Sequence, residues 1–71
     1  MGNLGRLHDA VLEVSGIDLS IVDCVCLFHR LPERIQNIAF NYGFNDTVFG
    51  DKICEFVRDN KTILNDFRRN S

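Results

Sequence analysis

The sequence predicts an all-α domain, a small bundle of four to five short helices with a helix-turn-helix-like hairpin in its second half. Three observations carry this. Apolar residues recur three and four positions apart in successive stretches, beginning with Leu4, Leu7, Val11 and Val14. Residues that cap or stop helices fall between those stretches, among them Gly16, Ser20, Gly43 and Asp46. The one proline, Pro32, stands at the head of a helical pattern rather than inside it. No repeat, linker or low-complexity segment divides the chain, so residues 1–71 read as one domain.

The composition raises a problem of coverage. The 71 residues are 45% hydrophobic and include six phenylalanines. A chain of this size buries only about 60% of the surface that its unfolded form exposes. Part of the apolar surface is therefore expected to be covered by a second copy or by a partner. Eight basic and ten acidic residues give a net charge of −2. That balance lacks the surplus of Lys and Arg that sequence-independent nucleic-acid binding requires. The three cysteines, Cys24, Cys26 and Cys54, are odd in number and irregular in spacing, which points to reduced thiols rather than a disulfide framework. No signal-peptide pattern opens the chain, and its most apolar run, Cys24–Phe28, is far too short to span a membrane. A soluble, cytoplasmic protein is expected.

Helical spacing at residues 3–15 predicts a first helix, with Asn3 as its cap, Gly16 as its stop and Leu12 off the stripe. The second helix is expected at Leu19–Leu31, capped by Asp18 or Ser20, with Ser20 and Asp23 at capping-box spacing. Its apolar residues cover nearly every angle, which predicts a central post buried on most sides. A β-strand is the competing reading, because Ile21-Val22 and Cys24-Val25-Cys26 favour extended backbone. Pro32 is expected in the first turn of a third helix with Ile35, Ile38, Ala39 and Tyr42 inward. Gly43 would end it in a Schellman-type stop, with Phe44 folded back. Asn45, Asp46 and Thr47 offer caps for a fourth helix whose inner face is Phe49, Ile53, Phe56 and Val57. A break is expected near 59–61, before a short helix holding Ile63, Leu64 and Phe67; one bent helix from Thr47 to Arg69 is the alternative.

The segment Ile35–Ile53 holds Ile38-Ala39, Gly43-Phe44 and Asn45-Asp46 at a characteristic spacing. A small alanine lets two helices approach, and a glycine four residues on makes the turn. This resembles the "I-A-x-x-x-G-F-x-D" core of AraC-type helix-turn-helix segments, departing from it at Phe49-Gly50, where that family carries a Tyr-Phe pair. The resemblance implies a helical hairpin whose second helix is anchored by Phe49 and Ile53. The outward positions Asn45, Asp46, Thr47, Gly50, Asp51 and Cys54 include no Arg, Lys or Gln. Asp51, Glu55 and Asp59 instead form an acidic stripe, which phosphates repel and which among the bases suits only cytosine.

Other chemistry finds little support. Cys24, Cys26, His29 and Cys54 are conceivable zinc ligands, but on a helix Cys24 and Cys26 diverge by about 200°. His29-Arg30 reads as a favourable pair of bases at a helix C-terminus. There is no phosphate-cradling glycine loop and no recognisable nucleophile. No catalytic, cofactor or metal residues are assigned. The reading is a small non-catalytic protein-binding module that inhibits or modulates a regulator, foremost a transcriptional repressor. In size and acidity it is similar to small phage and plasmid antirepressors. The candidate partner-binding residues are Phe40, Phe44, Asp46, Asp51, Glu55 and Asp59. The alternative is a dimeric helix-turn-helix DNA-binding regulator with phosphate contacts from Arg30, Arg34, Lys61, Arg68 and Arg69. A third reading is a homo-oligomer with no other target.

Overall fold

Helix boundaries follow the caps. In a computed structural model that describes residues 4–68, the chain forms α1 (Gly5–Ser15), α2 (Ile21–Arg30), α3 (Glu33–Tyr42) and α4 (Thr47–Asp59). A 3₁₀ turn (Lys61–Leu64) and a last short helix, α5 (Asn65–Arg68), complete it, and no strand occurs among the described residues. The all-α class stands, and the strand reading of α2 does not. Gly16 stops α1 in the left-handed conformation at φ 77°, its N–H donating to the Leu12 carbonyl. Asn3, expected as the first cap, lies outside the described residues. The Ser20 hydroxyl accepts from the Asp23 N–H at 3.1 Å and starts α2. At the other end of α2, Gln36 Nε2 donates to the Leu31 carbonyl and to the Phe28 carbonyl, which also accepts from the Leu31 N–H.

Two details of the third helix differ from the sequence reading. Pro32 takes the cap position, with an extended ψ of 148°, and not the first helical position. Gly43 has φ 108° and ψ 153°, so the chain leaves α3 through extended backbone open to glycine, not through a Schellman stop. Phe44 nevertheless folds back, its ring 5.9 Å from that of Phe40. Asn60 ends α4, which excludes one continuous helix to Arg69.

The most extensive packing joins α1 to α4. Leu7, Ala10 and Val11 are buried on α1, and Phe49, Gly50, Ile53 and Val57 on α4. Here the sequence reading is corrected. The central pair is α1 and α4, not α2, which buries only Cys24, Leu27 and Phe28 along one side. Its opposite side is bare: Ile21 is 83% exposed, Val22 69% and Val25 41%. Tyr42, expected inward, is 73% exposed at the last position of α3, and Leu12 is 40% exposed. Phe28, Phe40, Phe44 and Phe49 form an aromatic cluster with ring centroids 5.4 to 6.2 Å apart. Arg30 ties the end of α2 to α5, with Nη1 2.6 Å from Asp66 and its guanidinium over the Phe67 ring.

Gly50 is buried inside α4, where glycine costs about 1 kcal/mol relative to alanine. The reason is Arg6. Its side chain crosses Gly50 so closely that an added Cβ would lie 2.5 Å from Cδ, and its Nε and Nη2 donate to the Asn45 carbonyl. Gly50→Ala is therefore expected to stabilise by about 1 kcal/mol only in an Arg6→Ala background, because in the native chain the methyl evicts Arg6. Urea unfolding of the four-member cycle measures this; equal effects in both backgrounds would refute the packing argument.

His8 joins α1 to the loop before α2. Its Nδ1 meets Asp9 and its Nε2 meets Asp18. Only the imidazolium can donate from both nitrogens, and the hydrogen bond to Asp18, followed by that to Asp9, raises the His8 pKa above 6.5. A raised folded pKa means that this stabilisation is fully present below about pH 6.5 and fades as pH rises through the raised value. The stability of His8→Gln, followed by denaturant midpoint, should lack that downward step.

Candidate protein-binding surface

The six candidate residues do not lie on one surface. Phe40 is 62% exposed and stands edge-on to Phe28, which places it on the side of α3 that meets α2. Glu55 and Asp59 line a shallow groove of about 200 Å³ between α3 and α4, together with Arg34, Ile35 and Ile38. Ile38 and Phe40 are about 200° apart around α3, so the aromatic and the two carboxylates face in different directions. Phe44 is half-buried within the aromatic cluster and backs Phe40.

Asp46 has a different task. Its Oδ2 accepts from the N–H groups of Val48 at 2.9 Å and Phe49 at 3.3 Å, capping α4 at the positive end of its dipole. Three consecutive cap-forming residues were legible at 45–47, and the structure uses the middle one.

Asp51, Glu55 and Asp59 are all exposed. Four-residue spacing sets them in a row on the side of α4 away from Phe49, Ile53 and Val57, with Glu55 and Asp59 also at the rim of the α3–α4 groove. Val48, 51% exposed, stands one turn before Asp51 on the same face. The stripe has basic flanks: Lys52 approaches Glu55 at 3.8 Å, and Arg58 lies one turn from Glu55 and from Cys54. This outward face thus combines an apolar side chain with three carboxylates and two bases.

Of the bases of the DNA-binding alternative, Lys61 is exposed on the 3₁₀ turn. Arg30 is engaged by Asp66, and Arg34 lines the α3–α4 groove. The side chain of Arg68, and all of Arg69, lie outside the described residues.

No protein-family model, curated protein or solved structure matches this chain. The surface must therefore be read from its own chemistry.

The thiols are dispersed. Cys24 is buried, Cys26 is exposed, and Cys54 is half-buried with Sγ 3.8 Å from the Ala10 carbonyl. Burial raises the pKa of Cys24 and of Cys54, with Glu13 adding to the rise at Cys54, so neither is a ready thiolate. Among the described residues no group of three or more His, Cys, Asp or Glu is placed to hold a metal ion. No helix among them is long and apolar enough to cross a membrane.

Sequence reasoning missed the exposed side of α2 and Val48. The all-round apolar pattern of Ile21–Leu27 was visible, but a helix apolar on every side gives no sign of which side stays uncovered.

Asp46 separates capping from binding. Asp46→Ala is expected to lose about 1 kcal/mol of stability, whereas Asp46→Asn retains a good cap and most of that stability. Thermal unfolding of the two variants tests this; an equal loss in both would show that the charge, not the cap, carries the effect.

Proposed function

We propose that this chain is a non-catalytic protein-binding module that inhibits or modulates a regulator, foremost a transcriptional repressor, by docking the outward face of α4. The observation that supports this reading is the arrangement of Val48, Asp51, Glu55 and Asp59 on one exposed helix face. An amphipathic contact of this kind suits a basic target with an apolar notch: the carboxylates steer the encounter and fix orientation, and Val48 supplies a desolvated contact. A repressor's DNA-reading surface has that chemistry, because it is built to meet phosphates. The same carboxylates oppose direct approach of α4 to DNA. Asp46 serves as the cap that holds the face in place, and Phe40 and Phe44 are removed from it.

Electrostatic steering makes the association faster at low ionic strength. Asp51→Lys with Glu55→Lys reverses the centre of the stripe without touching the core. The expected result is that a DNA-binding regulator from the native host is retained by the immobilised wild-type chain and lost from the double variant. Purified, that regulator should leave its operator in a gel-shift assay when the wild-type chain is added. Sub-micromolar binding of the chain itself to duplex DNA, falling steeply with salt, would overturn the reading.

A further inference from the structure

The groove between α3 and α4 has an apolar floor and two charged walls. Ile35, 2% exposed, and the half-buried Ile38 and Phe56 line its floor. Arg34 stands on the α3 wall and Asp59 on the α4 wall. Both are exposed, and among the described residues neither takes part in an ion pair. Opposite charges thus line one groove without meeting across it. Glu55, the other carboxylate of the groove, already has a cation beside it, Lys52 at 3.8 Å.

The two helix backbones reinforce this pattern. Arg34 is in the first turn of α3, where unpaired N–H groups and the helix dipole favour an anion. The cap residue there is Pro32, and no side chain caps that end. Glu33, in the same turn, does not line the groove. Asp59 is the last residue of α4, where the dipole favours a cation. Arg58 beside it lies outside the groove. One wall therefore favours negative charge in an occupant and the other wall positive charge, with apolar surface between them.

We propose that this groove binds a free α-amino acid with an apolar side chain. The carboxylate meets the planar guanidinium of Arg34, whose fork suits two-oxygen recognition. The ammonium meets Asp59. The side chain covers Ile35, Ile38 and Phe56 and displaces water from them. Size limits the occupant, because a groove of about 200 Å³ is smaller than the roughly 300–1,000 Å³ of pockets for drug-sized ligands and admits a molecule of amino-acid size. Charge limits it further. An organic cation alone would face Arg34 and Lys52, and an organic anion alone would face Glu55 and Asp59. A molecule carrying both signs meets each wall with its complement. The charged groups are exposed and screened by water, so the affinity is millimolar.

Titration of L-leucine into the ¹⁵N-labelled full chain at low ionic strength tests this. Saturable amide shifts should concentrate at residues 34–38 and 52–60. Arg34→Gln and Asp59→Asn should each weaken binding about fivefold with unchanged circular dichroism, because both side chains are exposed. Leucinamide, which lacks the carboxylate, should bind the wild-type chain more weakly than leucine and lose nothing further on Arg34→Gln. Glycine, which carries both charges without a side chain, should also bind more weakly than leucine. Asp51→Lys should leave leucine binding intact, because Asp51 lies outside the groove, so failure of this site and failure of regulator docking are separate results. Shifts that rise without saturation into the tens of millimolar, or leucinamide binding as tightly as leucine, would overturn the proposal.

Discussion

The seam between α1 and α4 is the constraint from which the rest of the structure follows. Of the seven largest fully buried side chains, Leu7 and Val11 come from α1, and Phe49, Ile53 and Val57 from α4. A chain of this size supports one small core, and these two helices fill most of it. Helix α2 must then lie against the margin, where Leu27 is its one side chain among those seven. Helix α3 contributes Ile35 and Ala39, and α5 contributes Phe67. The exposed side of α2 is thus a consequence of volume: the interior has no second side for α2 to face.

This explains which parts were legible in the sequence. Helices α1 and α4 have one-sided patterns, so spacing alone identified Leu7, Val11, Phe49, Ile53 and Val57 as inward. The excess of apolar residues was legible as well, since it follows from length and composition. Its location was not. In α2 the period marks a helix but no direction, and the choice of side is made by α1, α3 and α4 from far away in sequence. The same limit applies to Gly50. Read locally it is a flaw in a helix, and only Arg6, forty-four residues earlier, gives it a purpose. Tyr42 fits its stripe by spacing, but α3 ends at that residue and the core does not extend beyond it.

The candidate binding residues show the same division between local and distant causes. Asp46 had the identity and position of a cap, and local rules suffice to place it. The stripe Asp51, Glu55 and Asp59 is likewise a local property of one helix. Phe40 needed a third dimension. Its distance from the inward stripe of α3 marked it as an outlier, but the neighbour that defines its role, Phe28, is on α2. Three-dimensional packing therefore splits a set that looked like one surface into an acidic helix face and part of an apolar one.

Two faces with different chemistry permit different kinds of contact. The apolar side of α2 is indifferent to the charge of a target and shuns water, which suits a contact whose partner is always at hand. The outward face of α4 is wet and charged, and its interactions weaken with salt, which suits a contact that must be made and released. Phe28 of α2, Phe49 of α4 and Phe44 between them are in mutual ring contact, so one aromatic cluster supports the inner sides of both helices and leaves their outer faces to differ.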